Sequence, residues 1–121
     1  MKILIKQQYY LMYSDKSIDL FDYFNVDHLH GLDKSDCMDH VDTPDDCFIA
    51  GMCNLKPNDS GKYFVFINTL KSKYPVEFIT LIMHEFMHLA FRLNDYNKYN
   101  EEQLIQFAEN ETKKFIKHYI L

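Results

Sequence analysis

The residues with the clearest chemical potential are two histidines and the glutamate between them, His84, Glu85 and His88. On a helix, residues four apart project from the same face, so two imidazole nitrogens can bind one zinc ion. Glu85 lies about 100° around the helix axis from His84, which puts it beside the metal and not on it. Zinc lowers the pKa of a bound water, and a flanking glutamate can take the proton. The pattern predicts a zinc centre with His84 and His88 as metal ligands and Glu85 as catalytic base.

Whether this short motif indicates a metal site depends on the residues that surround it. With six histidines and six glutamates in the chain, composition alone produces such a spacing in about 1–2% of cases. From Val76 to Leu93, however, 12 of 18 residues are apolar, which predicts a buried helix beginning near Pro75. An unpaired cluster of two histidines and a glutamate is costly to bury. The alternative interpretation is two core histidines and a salt-bridged glutamate on a structural helix.

A catalytic zinc site needs a third protein ligand and an open fourth position. The downstream candidates are Glu101, Glu102, Glu109 and His118. In a last helix predicted from residue 101 to about Tyr119, Glu101 falls near the centre of the apolar stripe, whereas Glu102 and Glu109 face outward. A carboxylate within such a stripe needs a partner, so Glu101 is the predicted third ligand. The alternative is that Glu101 is only a first-turn residue favoured by the helix dipole.

Two segments together carry a family resemblance. The motif His84-Glu85-Phe86-Met87-His88, followed by residues 100–108 with the sequence NEEQLIQFA, resembles the minimal gluzincins. These include the ImmA/IrrE-like metallopeptidases and small phage and bacterial zincins. The resemblance covers about residues 62–110 and implies that Glu101 is the third zinc ligand, although the spacing of Glu109 is closer to that of thermolysin-like enzymes. It also implies a twisted sheet whose edge strand, here near residues 63–68, pairs with an extended peptide.

The remaining pattern predicts the elements that hold this site. Residues 1–13 are expected to form a first strand, residues 14–31 one short helix, and the aspartate-rich residues 32–46 a surface loop. Apolar strands are predicted at residues 47–53 and 63–68, joined by the turn signal of residues 57–61 as a hairpin or meander. The predicted fold is α+β and zincin-like: one domain over residues 1–121, with a small twisted sheet packed against the active-site helix and a C-terminal helix.

The charge and composition of the chain limit the classes of partner that it can bind. The net charge of −5 leaves no electrostatic footprint for nucleic acid, and no apolar run is long enough to span a bilayer. The N-terminus does not resemble a signal peptide, and three cysteines suit a reducing compartment. We therefore expect a cytoplasmic protein, or one in the host cytoplasm if the gene is viral. A second zinc site from Cys37, His40, Cys47 and Cys53 matches no compact spacing, so separate thiols are expected.

These features together predict a zinc-dependent metallopeptidase that binds one zinc ion per chain. Its substrate would be a peptide or a protein, with no nucleic acid or membrane partner, and a monomer is the expected state. Glu85 would activate the zinc-bound water that attacks the peptide bond. Two alternatives stay open, a non-catalytic zinc-binding protein that binds a partner and a protein without metal. If no glutamate completes the site, the remaining histidines become ligand candidates: His28, His30, His40 and His118.

Overall fold

The computed structural model describes residues 1–94, 97 and 99–120 and has an α+β architecture. Two layers of helices enclose a four-stranded mixed sheet, and a two-stranded ribbon lies apart from it. The strands are β1 (Lys2–Ile5), β2 (Tyr9–Ser14), β3 (His28–Leu29), β4 (Leu32–Asp33), β5 (Gly51–Cys53) and β6 (Tyr63–Asn68). The helices are α1 (Ile18–Phe24), α2 (Lys34–Met38), α3 (Pro75–Leu93) and α4 (Glu101–Ile120).

The main sheet has the strand order β1-β2-β6-β5. β2 and β6 pair in parallel at its centre, while β1 and β5 are antiparallel to their neighbours and form the two edges. The predicted hairpin of residues 47–68 is confirmed as the antiparallel β5–β6 pair. The prediction that Tyr63–Asn68 is a peptide-binding edge is wrong, because β6 has a hydrogen-bonded strand on each side. The edge next to it is β5.

Three further sequence predictions need correction. Residues 1–13, predicted as one strand, form β1 and most of β2, which fold back on each other. Only the last three residues of the predicted strand 47–53 pair in the sheet. The aspartate-rich segment 32–46 holds the short helix α2 in addition to loop. By contrast, the helix predicted in residues 14–31 is confirmed as α1, and β6, α3 and α4 have nearly the predicted bounds.

Side chains alternate across the sheet, as the two-residue period of a strand requires. Val65 and Ile67 on β6 belong to one core, while Phe64 and Phe66 belong to the other. The first core lies under α3 and α4; its buried residues are Tyr9, Leu11, Tyr13, Val65, Ile67, Phe78, Ile82, Phe86, Leu89, Ala108 and Phe115. The second lies under α1 and α2; its buried residues are Met12, Leu20, Phe21, Cys37, Ile49, Phe64 and Phe66.

Helices α3 and α4 form an antiparallel pair on one face of the sheet. Phe78, near the start of α3, has its ring centroid 6.0 Å from that of Phe115 and 5.8 Å from that of Tyr119, near the end of α4. A hydrogen bond between Tyr9 on β2 and Glu111 ties α4 to the sheet. α3 is therefore held between β5 and α4 along its length, and only one strip of its surface is left to solvent.

Within residues 1–94, 97 and 99–120, no helix combines the length and the apolarity needed to cross a bilayer.

Candidate metal centre

The two motif histidines lie on the exposed strip of α3. Their Nε2 atoms are 3.0 Å apart, and the ring centroids are 4.5 Å apart with the rings nearly perpendicular. Two nitrogens bound to one tetrahedral zinc at 2.0–2.1 Å stand about 3.4 Å apart. A small outward rotation of the rings is enough to reach that separation. The spacing of four residues has thus brought two ligand-type nitrogens together on one face of the helix, as predicted. The apolar run predicted a buried helix, however, and both histidines are exposed.

The environment of His88 favours the neutral imidazole. Burial lowers its pKa below the usual value, and the nearby His84 and Arg92 lower it further. A metal binds the neutral form of histidine, so a lowered pKa keeps His88 in the metal-binding form over a wider pH range. His84 is its partner in the hydrogen bond between the two Nε2 atoms, whose donor depends on the tautomer.

Glu85 points the other way, into the junction between α3 and the edge strand β5. It is only 6% exposed, and within the described residues no group donates a hydrogen bond to its carboxylate. Burial raises its pKa from 4.5 to about 7. A general base works best when its pKa lies near the working pH. Glu85 therefore has the electrostatic character of a proton acceptor and donor at neutral pH, unlike an ordinary surface glutamate.

The predicted third ligand is less closely associated with the histidines. Glu101 is exposed at the first residue of α4, so the expectation that burial forces a partner on it does not hold. His84 and His88 follow Phe78 by six and ten residues, about 9 and 15 Å along α3. The same rise back along α4 from Phe115 reaches Glu109 and Ile105. By this count Glu109 is level with His84 and Ile105 with His88, so Glu101 lies about 6 Å beyond the level of His88.

No complete ligand set is assembled in the described structure. Among residues 1–94, 97 and 99–120, no group of three or more His, Cys, Asp or Glu side chains is arranged to hold a metal ion. Glu101, Glu102 and Glu109 all remain exposed. The donor set thus fits zinc at two positions, and the third ligand stays a prediction.

The other histidines lie elsewhere on the molecule. His30 contacts Phe64 and His40 contacts Phe48, both on the face of the sheet opposite to α3. His28 bonds Asp33, and His118 packs against Tyr13. Among the described residues, none of these four histidines joins His84 and His88 in a group of three ligand-type side chains.

The three cysteines are free thiols, as the sequence predicted. Cys37 lies in the second core, whereas Cys53 packs against the first, on the opposite face of the sheet. One metal site cannot draw on both. Burial raises the pKa of Cys37 to about 11 and, with help from Glu85, the pKa of Cys53 to about 12. Both thiols are therefore protonated and unreactive at neutral pH.

Sequence reasoning treated the aspartates of residues 32–46 as solvated, but Asp42 is not. Its side chain is 7% exposed, and it accepts hydrogen bonds from the backbone nitrogens of Ser17 (2.6 Å) and Phe48 (2.9 Å). Asn68 Nδ2 adds a third at 3.2 Å. Burial alone would raise the pKa of Asp42, but these bonds outweigh it and hold the pKa below its usual value. Asp42 fastens the loop before β5 to α1 and β6.

Sequence reasoning also passed over Gly51 in β5, which touches Glu85. A β-carbon at that position would lie 3.1 Å from Glu85 Oε1. The available signal was a lone glycine inside an apolar strand segment, which often marks a close approach of another group.

Comparison of the chain with known protein families, with curated proteins and with solved structures found no match.

Proposed function

We propose that this protein is a zinc-dependent metallopeptidase whose site is built on His84, Glu85 and His88. One observation carries the proposal: two histidine Nε2 atoms lie 3.0 Å apart on the exposed strip of α3, and Glu85, the residue that follows His84, is buried with its pKa raised to about 7. A structural helix has no need of either feature. Exposed histidines contribute little to packing, and an unbonded buried carboxylate destabilises the fold.

In this proposal His84 and His88 hold the metal, and a carboxylate from α4 completes the ligand set. Glu101 is the residue that the resemblance to gluzincins implies, and Glu109 is the alternative favoured by the level of the two helices. A zinc ion bound there would supply Lewis acidity, which polarises a carbonyl and makes water easier to deprotonate. One ion per chain is expected.

The proton transfers belong to Glu85. Its carboxylate accepts a proton from the attacking water and delivers it to the amine that leaves when the peptide bond breaks. Because burial raises its pKa, the group can both accept and release a proton near pH 7. The side chain is anchored against β5, so its position does not depend on a mobile loop.

The proposed substrate is a peptide or protein in extended conformation. β5 is an open edge of the sheet, and its residues Gly51–Cys53 lie next to Glu85. An open edge offers unpaired backbone groups to an added strand. A segment paired with β5 would pass directly in front of Glu85. In this proposal β5 takes the place of β6 as the strand on which the peptide docks. The cytoplasmic location of the protein stays a prediction.

The test is cleavage of an unstructured peptide library by the zinc-loaded protein and by Glu85→Gln. Removal of a general base should lower kcat/KM by about 10²–10⁴-fold, while zinc content stays at the wild-type value. The matched control is Glu77→Gln, an exposed glutamate on the same helix two turns earlier, which should keep full activity. Zinc binding without any Glu85-dependent cleavage would instead favour the alternative, a zinc-binding module that recognises a partner.

A further inference from the structure

Gly51 is the point of closest contact between the edge strand and the helix that carries the candidate site. A β-carbon built there would lie 2.8 Å from Leu81 Cδ1, and 3.1 Å from both Cγ and Oε1 of Glu85. Two of these three contacts are with the one side chain to which the proposed chemistry assigns the proton transfers. The carboxylate oxygen therefore lies directly against the backbone of β5.

The glycine is required there for space and not for backbone conformation. The glycines with positive φ are Gly31 (φ 78°) and Gly61 (φ 76°), and at both of them a β-carbon would meet nothing within 4 Å. Gly51 has the extended conformation of a paired strand residue, opposite Ile67. Glycine within a strand destabilises that strand relative to alanine, because it loses more backbone entropy on folding. A strand residue with ordinary dihedral angles would thus be more stable as alanine if the space were free.

We propose that Gly51 is a positioning residue that lets the Glu85 carboxylate lie against the edge strand, where a peptide paired with β5 would present its backbone. The proposal rests on the proposed function for its consequence in catalysis, but its steric part stands on the contact alone. Leu81 can turn its terminal methyl group away from an added side chain. Glu85 is 6% exposed and is closely surrounded, so an added β-carbon displaces its carboxylate toward solvent.

The first test compares three variants of the zinc-loaded protein. Gly51→Ala should keep its zinc and lower kcat about tenfold with little change in KM, since a misplacement of about 1 Å can cost on the order of 100-fold. Gly61→Ala is the matched control, because it strains a turn without touching Glu85; it should lower the melting temperature and leave kcat unchanged. Gly51→Ala with Leu81→Ala removes the closest contact and should not restore kcat.

The second test needs no activity and is run in chelator. Gly51→Ala should lower the melting temperature of the wild-type protein by several degrees, and of Glu85→Ala by less than half as much, because the truncated side chain leaves room for the methyl group. Equal shifts in the two backgrounds, or full recovery of kcat by Leu81→Ala, would overturn the positioning role. If Glu85→Gln keeps full activity, the proposed function fails, but the melting comparison still decides whether Gly51 positions Glu85.

Discussion

Glu85 and Asp42 are both nearly buried carboxylates, and they lie on opposite faces of the same sheet. Asp42 accepts three hydrogen bonds from Ser17, Phe48 and Asn68, and its pKa is held below the usual value. Glu85 receives none from the described residues, and burial raises its pKa to about 7. The same chemical group is thus a structural anchor on one face and, on the other, an unbonded carboxylate to which we assign the proton transfers of the proposed reaction.

The difference follows from what surrounds each carboxylate. Asp42 sits where the loop before β5 turns back, so backbone N–H groups without other partners point at it. Glu85 lies between helix α3 and the edge strand β5, and within the described residues no donor reaches its carboxylate. Burial costs a charged group several kcal/mol unless donors replace the lost water. Buried carboxylates without compensating donors, and hence with raised pKa values, cluster at functional sites.

The largest expected effect concerns the anchored carboxylate. Asp42→Ala leaves the buried backbone N–H groups of Ser17 and Phe48 without an acceptor, although Asn68 Nδ2 still donates to Ile49 O. It should lower the free energy of unfolding by about 3–5 kcal/mol, measured by urea titration at pH 7. Asp39→Ala is the matched control, because Asp39 is exposed in the same aspartate-rich segment; it should change stability by less than about 0.5 kcal/mol. Equal losses in the two variants would remove the contrast with Glu85.

The next effect concerns the ligand that completes the proposed metal centre. One of three variants, Glu101→Gln, Glu102→Gln or Glu109→Gln, should weaken zinc binding at least about 100-fold. Loss of a residue that only supports a ligand costs up to about 100-fold in metal affinity, so loss of a ligand itself should cost at least as much. The sequence favours Glu101, because it lies in phase with Leu104 and Ala108. The packing of α3 against α4 favours Glu109, because Glu109 lies at the same height along the helix pair as His84. Competition with a chromophoric chelator measures all three.

If none of the three glutamate variants releases zinc, the third ligand is a histidine. His118 is then the first candidate to replace with alanine, since it is the only histidine on α4. Such a result would require a rearrangement of α4 relative to the described structure.

A smaller effect distinguishes Glu85 by its pH dependence in the metal-free protein. Its pKa is about 7 in the folded state against 4.5 ordinarily, so the folded protein binds this proton more tightly than the unfolded chain. The contribution of Glu85 to stability is therefore most favourable below pH 4.5 and declines until about pH 7. Glu85→Gln should be more stable than wild type by about 3 kcal/mol at pH 8 and equal to it at pH 4. If the difference in free energy of unfolding between Glu85→Gln and wild type were the same at pH 4 and pH 8, Glu85 would not be a buried carboxylate without hydrogen-bond donors.

Some of this could be predicted from the sequence because the signals are local. Helix α3 follows from its apolar run and Pro75, and the pairing of His84 with His88 follows from the helical period alone. Strand β6 is an uninterrupted apolar run. These features depend on residues within a few turns of each other.

The rest depends on contacts distant in the sequence. The sequence predicts a solvated Asp42, because its hydrogen-bond donors come from positions 17, 48 and 68, which no local pattern brings together. The position of β6 inside the sheet depends on the parallel pairing with β2, more than fifty residues earlier. The raised pKa of Glu85 likewise depends on its burial in the folded chain. Burial and sheet order are tertiary properties, so the apolar pattern of α4 could give the phase of Glu101 but not its exposure.

The most direct test of the central claim is the zinc content of the protein purified after zinc-replete expression, measured by inductively coupled plasma mass spectrometry. The account predicts about one zinc ion per chain in the wild type and a loss of most of it in His84→Ala and in His88→Ala. His28→Ala, which removes an exposed histidine bonded to Asp33, should retain the metal. A wild-type protein without zinc, or histidine variants that keep it, would contradict the account.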